Sequence, residues 1–390
     1  MRVLVVSAWE PWRGGDGACL VLHAHLRELA PRHDVELLAA GAPVLRTELP
    51  GGDGTVPPGV AGGWYGTALP AAVDGLLRRV RRGEEPAHVG YVARPALLRD
   101  LRRAVVERRP DVIHLFGWGT AALQPHLDGV PAVHDAVDPW AANLLNRSTG
   151  PAHGLLDRGE TRRVAEHERR WYPRLSAVVV RTEEDAEELR QQVPGARTTV
   201  VPNGVDLGPD PAPPSGAVLA FLGAYDARSN VEAAVDLVTQ VLPRVRQVRP
   251  DARVLLIGRD PPAELRALAG AHVELTGAVP DVRPHLERAT VVVAPLKSGR
   301  GVKNKVLEAM AAGRPVVATA QALHGIGPSE GVREAETPAA QAEAALEWLT
   351  SGAAEAGAAN RDRVSRQHTW ARSAAVLEGL WQAASCSSTS

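Results

Sequence analysis

Cysteine is nearly absent: Cys19 and Cys386 are the only two in 390 residues. Two thiols build neither a disulfide framework nor a cysteine-rich zinc site, so the fold has to rest on hydrophobic cores. No apolar run approaches the roughly eighteen residues that cross a bilayer, and the apolar start Met1-Arg-Val-Leu-Val-Val-Ser7 is far shorter than a secretory signal. These absences predict a cytoplasmic protein. Net charge is nearly absent too, at −1. With no zinc-finger spacing and no long basic tail, nothing in the bulk electrostatics recruits nucleic acid. An Asp-x-Asp metal motif and a G-x-G-x-x-G dinucleotide fingerprint are both missing. There is no internal repeat, and low complexity is confined to one proline-rich stretch and some alanine runs.

Lysine is the scarcest charge. Three lysines stand against 41 arginines, and Lys297, Lys303 and Lys305 fall within nine positions. A composition that uses arginine wherever positive charge suffices, yet keeps three ammonium groups in one stretch, implies a need for compact point charges. Phosphate is the ligand such charges suit. The surrounding text, Pro295-Leu-Lys-Ser-Gly-Arg-Gly-Val-Lys-Asn-Lys-Val-Leu-Glu308-Ala-Met-Ala-Ala-Gly313-Arg-Pro-Val-Val-Ala-Thr319, reads as strand end, glycine loop, helix, glycine stop and next strand. That order aims backbone N–H groups and a helix dipole at an anion.

The length allows two globular domains, each with its own core. Short β-branched runs alternate with helix-like segments, the signature of parallel sheets built from βαβ units. Strands are predicted at 2–7, 35–40, 112–116, 131–135, 177–181 and 198–201, and again at 218–223, 253–258, 272–276, 291–295 and 315–319. Between the two series, 207–216 carries four prolines in ten residues and continues neither strand nor helix. We therefore expect an N-terminal Rossmann-like domain over 1–206, a hinge over 207–216, a second such domain over 217–365, and a C-terminal helix and tail over 366–390. Trp370, Leu377 and Trp381 would form one apolar stripe on that last helix. Two facing doubly wound domains leave a cleft at the carboxyl ends of their strands, where ligands of such sheets bind.

At this point the chain resembles a known family, the retaining GT-B glycosyltransferases of glycosyltransferase family 4. The resemblance covers nearly the whole chain and is strongest over 218–319. It rests on Phe221-Leu-Gly-Ala-Tyr-Asp-Ala-Arg-Ser-Asn230, Val254-Leu-Leu-Ile-Gly258, Leu275-Thr-Gly-Ala-Val-Pro-Asp281-Val, Val293-Ala-Pro-Leu296 and the Lys305-to-Thr319 run, in that order. Within the family it is similar to a subgroup with Arg-Gly-x-x-Asn-Lys-x-x-Glu-Ala-Met-Ala.

The resemblance implies a site. Glu308 would bind ribose hydroxyls, which a carboxylate accepts well. Gly301 and Val302 would turn N–H groups to a diphosphate, and Lys305, one turn before Glu308, would bind phosphate. Lys303 and Lys297 either join it or are solvated. Gly223 would lie in the donor site, and Val279 would sit where backbone reads the nucleobase edge. The sequence departs from the family at Arg300, where a glutamate usually meets the donor sugar, and at Ala224, where an arginine usually meets phosphate. Arg300 either alters sugar recognition or adds a phosphate contact, and Arg228 is the substitute cation. In the N-terminal half, Gly14 and Gly15 with Asp16 resemble the paired-glycine loop near the acceptor. His134 would end a strand beside the donor sugar, with Asp135 and Asp138 to bind or orient hydroxyls. Trp9, Trp12, Trp118 and Trp140 follow predicted strands and could wall an acceptor pocket or pack as core.

Catalysis would then fall to His134, Lys305 and Arg228. The resemblance implies retention of anomeric configuration with no protein nucleophile and no metal, because preplaced cations meet the charge that grows on the leaving diphosphate. No cofactor is expected besides the nucleotide diphosphate sugar itself. The expected function is transfer to a small-molecule acceptor such as a natural product, in secondary metabolism, by a monomer or homodimer. Three alternatives stay open: a membrane-surface enzyme with a lipid or cell-envelope acceptor, a nucleotide-sugar 2-epimerase, and a non-catalytic sugar-nucleotide binding protein. The first draws on residues 71–110, where ten arginines against five acidic residues could meet an anionic membrane or form a solvated helix face.

Overall fold

The structure, a computed structural model, describes residues 1–9, 17–40, 60–65, 85–147 and 155–387. Strands β1 (Arg2–Ser7), β2 (Asp34–Ala40), β3 (Val60–Tyr65), β4 (Val112–Phe116), β5 (Ala132–Val137), β6 (Ala177–Val180) and β7 (Thr198–Val200) form one sheet in the order β3-β2-β1-β4-β5-β6-β7. Strands β8 (Val218–Leu222), β9 (Arg253–Ile257), β10 (Val273–Leu275), β11 (Val291–Ala294), β12 (Val316–Ala318) and β13 (Val332–Glu334) form a second in the order β10-β9-β8-β11-β12-β13. Every pairing is parallel. The reason is in the text of the strands. Val112-Ile-His-Leu-Phe116 and Val291-Val-Val-Ala294 are buried along their whole length, which suits sheets covered on both faces rather than on one. Each buried valine or leucine there stabilises the fold by about 1.5–3 kcal/mol. Among the described residues, no helix is long and apolar enough to cross a membrane.

The chain forms two compact units, Met1–Pro202 with Ser373–Ser390, and Asn203–Arg372. This corrects the expected boundaries. The proline-rich 207–216 lies inside the second unit, because prolines leave carbonyls in excess and two arginines collect them. Arg361 donates to the carbonyls of Leu207 (2.8 Å) and Gly208 (2.9 Å), and Arg314 donates to that of Ala212. The chain returns to the first unit at Ser373 rather than ending beside the second. His25 Nε2 meets Ser373 Oγ at 2.7 Å, His33 Nε2 meets Glu378 at 2.7 Å, and Trp381 Nε1 donates to His114 Nδ1 at 3.0 Å. Burial lowers the His114 imidazole to about 3, so it stays neutral and accepts that bond. Of the expected stripe, Leu377 and Trp381 are buried and belong to the first unit, whereas Trp370, also buried, belongs to the second.

Strand order reverses once in each sheet, between β1 and β4 and between β8 and β11. In doubly wound sheets the carboxyl ends at such a reversal are where loops diverge and a ligand can enter.

Candidate functional site

The reversal in the second sheet brings the lysine run to Gly223. Strand β8 ends at Leu222, and the loop after β11 leads through Gly299 (φ 106°) and Gly301 (φ 75°) into the helix Asn304–Ala311. Lys305 reaches back from that helix. Its Nζ lies 2.5 Å from Asn230 Oδ1 and 4.8 Å from the centre of the Phe221 ring, while Asn230 Nδ2 donates to the Ala224 carbonyl at 2.7 Å. A Cβ on Gly223 would come within 3.0 Å of the lysine nitrogen, so only glycine lets backbone and ammonium approach this closely. Lys303 has a different task. Its Nζ donates to the carbonyls of Gly299 (2.9 Å), Arg300 (2.7 Å) and Gly301 (2.9 Å), which fixes the left-handed turns of the loop. Lys297 pairs with Asp236 at 2.5 Å.

Electrostatics set Lys305 apart. Burial, seconded by the charge of Lys303, lowers its amine to about 7, against the pull of Glu308. Glu308 stands one turn later on the same helix, half-buried, and burial raises its carboxyl while Lys305 opposes the rise and Asp281 adds to it. Among the described residues no carboxylate pairs directly with the Lys305 amine, and such a cation beside a carboxylate rich in acceptors can take a phosphate on one side and a pair of hydroxyls on the other. Asn230 and Phe221, which position the amine, carry no signal of that role in the sequence beyond standing in the same motif.

The other expected donor contacts separate. Arg228 sits on the outer face of the helix Arg228–Asp236, 71% exposed, and donates to Glu232 (2.9 Å) and Glu264 (3.0 Å). It is thus a surface ion-pair residue, because two carboxylates on its own side of the unit claim it, and Asn230 rather than Arg228 faces Lys305. Arg300 is half-buried in the loop that Lys303 fastens, Gly301 is buried and Val302 is half-buried beside it. Val279 packs half-buried against the core after the turn at Gly277 (φ 69°).

In the first unit an aromatic series occupies the reversal between β1 and β4. Trp9 and Trp118 follow the two strands directly and meet edge to face at 5.8 Å, and Trp118 stacks on Trp140 at 6.0 Å with planes 2° apart. Gly117 (φ 91°) makes this possible, since a Cβ there would come 2.5 Å from the Trp9 ring. Trp118 Nε1 donates to the Asp138 carbonyl at 3.4 Å, so Asp138 reaches the aromatic wall through its backbone. Gly14, Gly15, Asp16 and Trp12 lie outside the described residues.

His134 and Asp135 depart from expectation. Strand β5 runs on to Val137 through a bulge, which makes His134 the third of six strand residues instead of the last. Its side chain is fully buried beside Tyr172 (ring centres 5.0 Å apart), Nδ1 donates to the Leu115 carbonyl at 3.2 Å, and burial lowers it to about 3. A neutral imidazole with no accessible surface is a core group in this structure, not a group exposed beside a sugar. Asp135 is spoken for as well: both oxygens bind Arg181 at 2.5 and 2.6 Å, and Oδ1 also accepts from Val137 N at 3.0 Å. That bond helps hold Val137 at φ 66°, an uncommon conformation for a β-branched residue. Sequence reading missed Arg181 and also Glu168, whose fully buried Oε1 accepts from the backbone N–H groups of Trp140 (2.9 Å) and Ala141 (3.3 Å). Burial pushes the Glu168 carboxyl up to about 7 against those two bonds.

Comparison with known proteins accounts for both units. Residues 15–208 match the model of Glycosyltransferase Family 4, and residues 216–351 match that of Glycosyl transferases group 1. The chain is similar to the phosphatidyl-myo-inositol mannosyltransferase of Mycolicibacterium smegmatis, with 26% identity over 74% of this chain and 68% of that protein. It is likewise similar to the protein of that name from Mycobacterium tuberculosis, with 28% identity over 65% of this chain and 63% of the relative. Among solved structures, sucrose-phosphate synthase from Thermosynechococcus elongatus superposes with a TM-score of 0.72 at 15% identity, over 98% of each chain. Anabaena Alr3699/HepE in complex with UDP and glucose does so with a TM-score of 0.66 at 13% identity, over 97% of this chain and 98% of that one. With two parallel doubly wound sheets and a family match over each half, the chain belongs among the GT-B glycosyltransferases of family 4 and group 1.

Proposed function

We propose that this protein transfers a sugar from a nucleoside diphosphate sugar, with retention at the anomeric carbon and without a metal ion, to a polyol head group carried on a lipid. The observation that carries the donor half is the Lys305 amine, held between Asn230 and Phe221 at Gly223 and one turn before Glu308. Breaking the anomeric bond leaves negative charge on the diphosphate, and a desolvated cation already in place stabilises that charge without reorganising at the moment of reaction. Glu308 would hold the ribose, and the loop N–H groups around Gly301 would face the diphosphate. A leaving-group oxygen would take the proton of the attacking hydroxyl on the same face of the sugar, so no side chain needs to attack the anomeric carbon.

The acceptor half rests on the relatives, both named for transfer to phosphatidyl-myo-inositol. They favour a lipid-borne polyol over the small natural product expected from sequence. The aromatic wall of Trp9 and Trp118 suits such a head group, since flat indole faces pack against the C–H face of a ring. The test is incubation of the full chain with labelled nucleotide sugars and vesicles containing phosphatidylinositol, with free myo-inositol as the soluble control. Label in the organic phase with an unchanged anomeric configuration by proton coupling supports the reading, as does turnover in the presence of EDTA. Label on free myo-inositol alone would return the acceptor to the small-molecule class. Release of an epimerised sugar without acceptor, or binding without turnover, would sink the transferase reading.

A further inference from the structure

The helix Trp140–Arg147 takes an acceptor for its first turn from a distant part of the chain. Pro139, directly before it, offers no side-chain acceptor to its first N–H groups. Glu168 supplies the acceptor from 28 positions away, through one oxygen shared by Trp140 N and Ala141 N. It stands on the helix Leu155–Trp171 and is fully buried. What this cap holds is Trp140, 1% exposed, with the His167 ring edge-on to it at 5.8 Å and Trp118 stacked flat against it at 6.0 Å. Trp118 in turn meets Trp9. The placement of the whole aromatic wall therefore runs back to one buried carboxyl group.

We propose that Glu168 is a positioning residue for the acceptor: by fixing the first turn of Trp140–Arg147 it sets the plane of Trp140 and, through the stack, the plane of Trp118 against which the acceptor head group lies. A cap serving stability alone needs only to reach the first-turn N–H groups, which it can do from the solvent side. This one is buried behind the first aromatic ring, and the ring it fixes carries the half-exposed Trp118. The inference rests on the proposed acceptor reading, and its test separates the two.

The experiment compares wild type, Glu168→Ala and Glu168→Gln as full chains. Glutamine keeps a carbonyl oxygen for the two N–H groups, whereas alanine removes it. Hydrogen exchange over residues 138–147 reports the cap without reference to catalysis, and calorimetry with UDP and GDP reports the second unit. Transfer to phosphatidylinositol vesicles reports the wall. We expect Glu168→Ala to exchange at least tenfold faster over 138–147 and to raise the acceptor KM tenfold or more. Its kcat at saturating acceptor and its nucleotide Kd should stay within threefold of wild type, and Glu168→Gln should restore both exchange and KM. Unchanged exchange in Glu168→Ala overturns the proposal. So does faster exchange with an unchanged KM, which would make the cap a matter of stability alone. If Glu168→Ala fails to fold, Glu168→Gln decides: a tenfold rise in its acceptor KM with wild-type exchange over 138–147 overturns the proposal, and wild-type values for both support it. A wild-type protein that binds nucleotide but transfers to no vesicle acceptor overturns the acceptor reading, and this proposal with it.

Discussion

Lys305 and Asn230 stand 75 positions apart and meet at 2.5 Å, an ammonium held by an amide oxygen instead of by a carboxylate. A carboxylate would have neutralised the charge and left little for a ligand. The amide orients the ammonium and leaves its net charge available. Removing the amine should therefore weaken binding of a nucleoside diphosphate far more than binding of the nucleoside. A hydrogen bond to a charged group contributes about 1.5–3 kcal/mol, so Lys305→Ala should raise the diphosphate Kd roughly 10- to 100-fold. Calorimetry with both ligands checks this, and equal weakening of the two would count against a phosphate role.

The same lysine predicts a pH dependence. With its amine lowered to about 7 in the free protein, mainly by burial, Lys305 is largely neutral at pH 8. A bound diphosphate favours the charged form, so the bound pKa lies higher and binding takes up a proton between the two values. Affinity should be strongest below pH 7 and fall by up to about tenfold per pH unit above it, until the bound-state value is passed. Binding heats measured at pH 8 in buffers of different ionisation enthalpy should show the uptake. Affinity that rises with pH would contradict the sign.

Where the sequence is legible, the reason is burial. The strands β1, β4, β8 and β11 are runs of apolar residues with no partner pattern to confuse them, and their ends fall within a residue of where the pattern puts them. Strand β3 is not legible because Val60-Ala-Gly-Gly-Trp-Tyr65 centres on two glycines, which strands disfavour, and β13 because Val332-Arg-Glu334 is mostly exposed. The donor-type site is legible through Lys305 and Glu308, one turn apart on one helix. Its remaining parts are not, since Asn230 is a partner fixed by tertiary packing. His134 shows the opposite failure: a motif residue gives the identity, but whether it faces a ligand or the core depends on two further strand residues. Likewise no local pattern shows Glu168 capping a helix 28 residues upstream.

Asp135 and Arg181 form an ion pair in which neither side chain is more than 2% exposed. Removing one partner leaves a buried charge without its counter-charge, which costs about 3–5 kcal/mol. Asp135→Asn should lose that much in urea unfolding of the first unit and also release the turn at Val137. Replacing an exposed pair such as Arg162 and Glu166, which water screens, should change stability far less. Similar losses for the two would show that the buried pair is not a determinant of the β5 end.

Glu168 makes stability depend on pH in a predictable direction. Its carboxyl lies at about 7 in the folded protein against an ordinary 4.5, chiefly through burial. Because the folded value is the higher one, the stability tied to this group is complete below about pH 4.5 and is lost as pH rises through about 7. The full gap is worth on the order of 3 kcal/mol. Glu168→Gln, neutral at every pH, should match wild type near pH 4.5 and exceed it at pH 8.5 by up to that amount. Thermal unfolding of both proteins at the two pH values tests it, and a difference independent of pH would refute the assignment.

Two glycines at the end of the second sheet should respond to alanine in opposite ways. A Cβ on Gly258 would come 1.9 Å from the Gly223 carbonyl oxygen, at a φ of 149° that other residues rarely adopt. Backbone cannot give way there, so Gly258→Ala should destabilise the unit as a whole by several kcal/mol, on the order seen for overpacking and backbone strain together. A Cβ on Gly223 meets only the ends of side chains, 2.9 Å from Asn230 Cγ and 3.0 Å from Lys305 Nζ. Those ends can swing aside at little cost in stability, but the move displaces the ammonium from its place at the strand end. Gly223→Ala should therefore keep its melting temperature within a few degrees of wild type while its nucleoside diphosphate Kd rises tenfold or more. If Gly223→Ala binds as wild type does, the close approach of lysine to backbone is a packing detail, and the anion site lies elsewhere on the loop.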